Sequence, residues 1–201
     1  KRVIHNPLSF APLNSPTLRG KTVLCVGRLN VWKVKGFDLM LDVWQKVAPS
    51  HPDWILKIAG DGTTDSINEI EEMISQRGLE GKVRLLGQVS SICSLYQKTS
   101  IFALSSRVEG FPMGLIEAMS QGCACIAFSM QGAVNEIFGK SQSGIIIKDG
   151  AVDSFATELS KLISASEEQR SELGQRAIER SKDFSEEAFV SSFRCGSNTN
   201  A

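Results

Sequence analysis

The chain has 201 residues, 42% of them hydrophobic and 22% charged. That is enough for one large domain or two small ones, with roughly 70% of the unfolded surface buried at this size. Lysine plus arginine equals aspartate plus glutamate at 22 each, for a formal net charge of zero, so no global field argues for nucleic acid or an anionic membrane as partner. Cys25, Cys93, Cys123, Cys125 and Cys195 are an odd number of cysteines, with no CxxC pair beside a histidine cluster, which argues for reduced thiols in a cytoplasmic protein and against a zinc site.

The opening stretch KRVIHNPLSFAPLNSP begins without Met and holds three of the six prolines. It is expected to be a linker over residues 1–20, cut from a larger protein. It shows no n-region followed by an apolar h-region as in a signal peptide, and no run in the chain reaches the ~18 apolar residues of a membrane span. From residue 21, short apolar runs alternate with amphipathic ones. TVLCVGRL, WILKIAG, KVRLLG, SIFALSS, CACIAFS and SGIIIK are apolar on both faces, as strands covered on both sides must be. FDLMLDVWQKVA, DSINEIEEMISQRG, SSICSLYQKT, GLIEAMSQG and AVNEIFG place apolar residues three and four apart and read as helices. Strand alternating with helix predicts right-handed crossovers, and so an α/β, Rossmann-like parallel sheet of about six strands with helices on both faces. Cys123 and Cys125, two apart on a strand, should share one face as small buried groups.

Beyond Lys148 three helical stretches follow without a strand, AVDSFATELSKLISAS, SEEQRSELGQRAIERSK and SEEAFVSSF. Asp153, Ser166 and Ser185 are their expected N-caps. The organisation expected is thus a core domain over 21–150, terminal helices of the same domain over 151–194 and a frayed tail over 195–201.

In an open parallel sheet ligands bind outside the carboxyl ends of the strands, which narrows the search to three loops. VGRLNVWKVKGFD brings Arg28, Lys33 and Lys35 to a helix N-terminus, where the dipole disfavours cations unless an anion joins them. A solvated loop is the alternative. HPDWILKIAGDGTTD holds Gly60-Asp61-Gly62, where Asp61 either caps the next helix or simply makes a turn. No GxGxxG opens any helix, so a dinucleotide fingerprint is absent. SSRVEGFPMGLIEAMSQG places Pro112 at a first helical position and Gly110 and Gly114 where backbone can approach a ligand. Free amides from Phe111 to Leu115 would make a phosphate seat. Glu109 and Glu117, eight positions apart, could accept hydrogen bonds from sugar hydroxyls on either side of it, or be a capping acid and an exposed helix acid. Together the loops suit a diphosphate with a sugar at each end, a nucleotide-sugar. His5 and His51 sit beside prolines, and Asn135 and Glu136 open a helix where capping and donor contact are both possible.

At this point the residues resemble the carboxyl-terminal, donor-binding domain of retaining glycosyltransferases of the GT-B fold, in the group with the E-x7-E motif. VIHNP, VGRL with KGFD, HPDWILKIAGDG, VRLLGQV, ALSSRVEGFPMGLIEAMSQG and GAVNEIF follow in the family's order over about residues 3 to 150. The resemblance implies that Arg28 and Lys35 grip the donor diphosphate. It makes Glu109 the acid on the transferred sugar and Glu117 the acid on the ribose. Phe111, Pro112, Met113, Gly114 and Leu115 would offer backbone to sugar and phosphate, while Gln88 and Val89 would lie against the base. The loop from Arg28 to Lys35 is longer than the family pattern by about two residues and contains Trp32 and Lys33. Lys35 is the expected phosphate ligand because it precedes Gly36, and Trp32 is either a wall of the site or an exposed aromatic.

The implied activity is transfer of a hexosyl or N-acetylhexosaminyl unit, from a UDP-sugar first of all, to a glycan or lipid-linked acceptor, with retention and with no metal or cofactor. The acceptor domain would precede this chain, so the piece alone should bind donor without transferring it. Membrane contact, if any, would come through that missing domain, with the full enzyme peripheral at the inner face. The helices around Phe184 to Phe193 would leave apolar surface where they met that domain. A nucleotide-sugar epimerase half and a non-catalytic binding module are the alternatives.

Overall fold

The computed structural model describes residues 8–15, 19–130 and 133–185. VIHNP, His5, Cys195 and the last of the three terminal helical stretches lie outside the described residues, apart from Ser185.

Six strands run parallel in the order β3-β2-β1-β4-β5-β6: β1 Gly20–Val26, β2 Ile55–Ala59, β3 Val83–Gly87, β4 Thr99–Leu104, β5 Ala124–Phe128 and β6 Ile145–Ile147. Side chains two apart share a face, and both faces are apolar. Val23 and Cys25 of β1, Ile101 and Ala103 of β4, and Ala124, Ile126 and Phe128 of β5 enter one core. Leu24, Phe102, Leu104, Cys125 and Ala127 enter the other, where Cys123 joins Cys125 on the same side.

The first core is covered by α2 (Phe37–Val47), α3 (Thr64–Gln76) and α7 (Val152–Ser164), and the second by α4 (Ile92–Gln97), α5 (Met113–Ser120), α6 (Ala133–Phe138) and α8 (Glu167–Ser181). In α2 the buried residues Phe37, Met40, Leu41, Trp44 and Val47 recur at three- and four-residue steps, and the Trp44 indole donates to the Lys82 carbonyl at 2.9 Å. Ser166 caps α8 in a full capping box with Gln169. Asp153 does not cap α7. The N-cap is Ala151, and Asp153, two residues inside, pairs with Lys46 of α2 at 3.0 Å, where its charge still favours the positive end of the helix. No described helix is long and apolar enough to cross a membrane.

The chain order turns back between β1 and β4, whose neighbours lead in opposite directions along the sheet. That switch point leaves an uncovered crevice at the carboxyl edge. The loops after β1 and β4 are the ones that carry the predicted cations and acids.

Candidate functional site: the crevice between the first and fourth strands

The loop after β1 is not an open bend. Leu29–Val31 forms a 3-10 turn and α1 (Trp32–Lys35) a single helical turn that ends on Gly36 at φ 65°. The Gly27 N–H reaches the Ala59 carbonyl at 2.9 Å, and the Leu29 N–H reaches the Asp61 carbonyl at 2.7 Å. Asn30 accepts from the Thr63 N–H at 2.7 Å. The loop after β2 thus props the loop after β1. Thr63 is the N-cap of α3, and the Asp61 carboxylate only accepts from the next N–H, Gly62, at 2.9 Å, so Asp61 is a turn residue.

The extra length of the loop separates its two lysines. The Lys33 ammonium lies 5.0 Å from the centre of the Trp32 ring, and the Trp32 indole donates to Glu69 of α3 at 2.6 Å. Trp32 therefore works as a brace between α1 and α3. Lys35 turns the other way, with its stem across Gly27, where an added Cβ would lie only 2.9 Å from the Lys35 Cδ. Its Nζ donates to Glu109 Oε1 at 2.7 Å, the two side chains being 21% and 14% exposed. Ser106 Oγ donates to the same oxygen at 2.7 Å, and Ser105 Oγ donates to the Lys35 carbonyl at 3.0 Å. Arg28 is exposed, and its side chain makes no hydrogen bond or ion pair among the described residues.

Arg107, which the sequence reading passed over, clamps the two loops together. Its guanidinium donates to both carboxylate oxygens of Asp38 at 2.7 Å and to the Lys33 carbonyl at 2.6 Å, while its N–H meets the Val34 carbonyl at 2.8 Å. A bidentate arginine fork fixes direction as well as distance. Burial pushes the Asp38 pKa up, but the hydrogen bond and charge of Arg107 and nearby backbone donors outweigh it, so the carboxyl is held below its usual range. The same pairing raises the Arg107 pKa.

α5 departs from the expected phosphate seat. Pro112 is its N-cap, and helix begins at Met113. The Met113 N–H is taken by the Phe111 carbonyl at 2.9 Å and the Leu115 N–H by the Pro112 carbonyl at 3.0 Å. A turn this tight satisfies its own donors, so of these amides Gly114 keeps an N–H without a backbone partner among the described residues. Phe111 is half-buried and its ring sits 6.0 Å from that of Phe184; Leu115 is fully buried.

Glu117, one turn into α5, does not meet Glu109 or Lys35. Its Oε1 accepts from Ser9 Oγ at 2.9 Å and its Oε2 from the buried Tyr96 hydroxyl at 3.3 Å. Gln88 is exposed and Val89 half-buried just after β3, on the same carboxyl edge of the sheet. His51 is bonded to Ser160 at 2.7 Å, away from the crevice. Asn135 and Glu136 are exposed on α6.

The missed partners Ser106 and Arg107 adjoin Glu109 in the sequence, so the SSR triplet was a usable signal. Ser9 and Tyr96 lie 108 and 21 positions from Glu117, and nothing local links them to it. Among the described residues no three His, Cys, Asp or Glu side chains gather as a metal site requires.

The chain is similar to known proteins in sequence and in fold. An uncharacterized glycosyltransferase of Haemophilus influenzae is 32% identical over 162 residues, 80% of this chain and 45% of that protein. The amylovoran biosynthesis glycosyltransferase AmsD of Erwinia amylovora is 33% identical over 168 residues, 84% of this chain and 45% of that protein. The chain thus spans about half the length of these curated relatives. Among solved structures, a mutant of S. aureus TarM in complex with fondaparinux, alpha-GlcNAc-glycerol and UDP superposes with a TM-score of 0.82 at 21% identity, over 94% of this chain and 38% of that one. The apo lipopolysaccharide outer core galactosyltransferase WaaB does so with 0.77 at 24%, over 96% and 54%. At such identities the likeness speaks for the fold. Residues 14–180 match the family model for glycosyl transferases group 1, and the chain belongs to that family.

Proposed function

We propose that this chain is the donor-binding half of a retaining glycosyltransferase with an E-x7-E motif. It would take a hexosyl or N-acetylhexosaminyl unit from a nucleotide-sugar, UDP-linked first of all, for transfer to a glycan or lipid-linked acceptor held by a preceding domain. The observation that carries the reading is the Lys35–Glu109 pair at the sheet's switch point, with the uncommitted Arg28 at the end of the same strand. A partly buried cation and acid joined across two loops present a phosphate ligand and a hydroxyl acceptor side by side. The relatives' names point the same way: the lipopolysaccharide 1,6-galactosyltransferase of Salmonella typhimurium is 29% identical over 90% of this chain.

In the reaction so read, the bond from the anomeric carbon to the β-phosphate oxygen breaks and the oxygen keeps the electron pair. An acceptor hydroxyl attacks from the same face and its proton passes to that oxygen, which leaves the anomeric configuration unchanged. Arg28, Lys35 and the Gly114 N–H stabilise the charge growing on the leaving diphosphate, each such contact supplying about 2–4 kcal/mol of transition-state stabilisation. Glu109 orients hydroxyls of the transferred sugar, and Glu117 accepts from the ribose. Gln88 and Val89 border the base, and the backbone around Phe111 to Leu115 borders sugar and phosphate. Taken alone, the chain binds donor without transferring it.

Calorimetric titration with UDP, GDP and ADP tests this. UDP is expected to bind, and a double Arg28→Ala, Lys35→Met variant to lose that binding. If none of the three nucleotides binds, or the double variant binds like the original, the reading is wrong.

A further inference from the structure

The two oxygens of Glu117 are held in different ways. Oε2 faces inward to Tyr96, which is 0% exposed and whose ring sits 6.3 Å from that of Phe10 and 5.8 Å from that of Phe102. Arg19 takes the Tyr96 carbonyl at 3.0 Å and the Thr99 carbonyl at 2.7 Å, pinning the end of α4. Backbone, ring and hydroxyl of Tyr96 are all constrained, so its O–H is a fixed donor.

Oε1 faces the exposed Ser9 hydroxyl instead. Ser9 belongs to a segment tied to the body of the domain on both sides. The Leu8 N–H reaches the Phe184 carbonyl at 3.1 Å, and the Leu13 N–H the Ser120 carbonyl at 2.9 Å. The Gln121 side chain donates to the Ala11 carbonyl at 3.0 Å. The outer oxygen of Glu117 thus already accepts from a solvent-exposed hydroxyl, in the way a ligand hydroxyl would have to approach it. Turning one serine rotamer frees it.

We propose that the Ser9 hydroxyl occupies, in the unliganded protein, the place of a ribose hydroxyl of the nucleoside diphosphate. Residues 8–13 then act as a self-occupying strap, and Tyr96 is the positioning residue that aims the Glu117 carboxylate. This rests on the donor-binding reading given above. Ligand binding exchanges one neutral hydroxyl donor for another, so the strap weakens nucleotide affinity, and losing it strengthens affinity.

The test compares UDP with 2′,3′-dideoxyuridine diphosphate, which lacks both ribose hydroxyls, by calorimetry on the protein and on Ser9→Ala, Tyr96→Phe and Glu117→Gln. Ser9→Ala should bind UDP about three- to tenfold tighter, the size of one net hydrogen bond, and Tyr96→Phe about three- to tenfold more weakly. Neither change should alter affinity for the dideoxy analogue, and that contrast separates positioning from a general structural effect of Tyr96→Phe. Unchanged or weaker UDP binding by Ser9→Ala, or an equal gain for both ligands, overturns the proposal even if Tyr96→Phe folds poorly. Glu117→Gln tells the two ideas apart. If it binds UDP as the original does, the donor-binding reading of Glu117 falls and the strap with it; if it binds weakly while Ser9→Ala changes nothing, the strap alone falls. Should UDP fail to bind, the guanosine or adenosine pair is used in the same way, and failure of all three overturns both.

Discussion

Gly36 and Gly78 provide a matched pair for testing how the loop after β1 is seated. Their φ angles are 65° and 64°, so alanine meets the same left-handed strain at each, about 1 kcal/mol. Their surroundings differ. At Gly78 an added Cβ would have nothing within 4 Å, whereas at Gly36 it would fall 2.0 Å from the Ser105 carbonyl oxygen and 2.8 Å from its carbon. Backbone of a buried strand end cannot yield as a flexible side chain does, so Gly36→Ala must push the junction of α1 and α2 away from β4. Overpacking of that kind adds about 1–3 kcal/mol. The expected total is about 2–4 kcal/mol for Gly36→Ala against about 1 kcal/mol for Gly78→Ala. In a chain of this size the first corresponds to a fall in Tm of about 5–15 °C.

The same displacement lengthens the Ser105–Lys35 and Lys35–Glu109 contacts. UDP affinity should therefore drop about tenfold in Gly36→Ala, as for a weakened charge-assisted contact, and stay unchanged in Gly78→Ala. Urea denaturation and calorimetry measure the two effects. Equal destabilisation of both variants, with equal nucleotide binding, would refute the argument that Ser105 seats Lys35.

Two further outcomes follow from the charges. Asp38 has a folded pKa held below its ordinary value near 4 by Arg107, against the opposing effect of burial, so its stabilisation is present above that pH and is lost as pH falls through and below about 4. Asp38→Asn should remove about 0.5–1 kcal/mol at pH 7, since the pair is partly exposed, and should flatten the acid limb of a urea stability profile between about pH 5 and 2; parallel profiles would exclude the clamp. Arg28→Ala removes a side chain with no partner among the described residues, so stability should stay within about 0.5 kcal/mol. UDP should bind about ten- to a hundredfold more weakly, and unchanged affinity by calorimetry would exclude Arg28 from the diphosphate site.

The central strands β1, β4 and β5 were legible because their middles are buried on both faces, which writes a nearly continuous apolar run into the sequence whatever the neighbours are. Ser166 was legible as a cap because acids follow it in the first turn, a local pattern, and the structure completes it with Gln169 three residues on. Asp153 misled for a related reason: an acid in a first turn favours the helix dipole whether or not its side chain caps a backbone N–H, and here Lys46 drew it outward. The amides of α5 looked free because a sequence shows which donors lack helical partners, and not that the turn at Phe111 and Pro112 would take them.

Composition and the alternation of strand and helix by themselves determined the layered α/β class and brought up Arg28, Lys33, Lys35, Glu109 and Glu117 as candidates, from which the family resemblance took Arg28, Lys35 and the two acids. These are properties of local periodicity and of residues close along the chain. Tertiary structure decided which lysine turns toward Glu109, that Trp32 braces α1 against α3, that Arg107 locks the loops, and that Ser9 and Tyr96 share Glu117. Each of these depends on segments tens of residues apart meeting at the carboxyl edge of one sheet, and no local pattern encodes where a crossover will bring a side chain back.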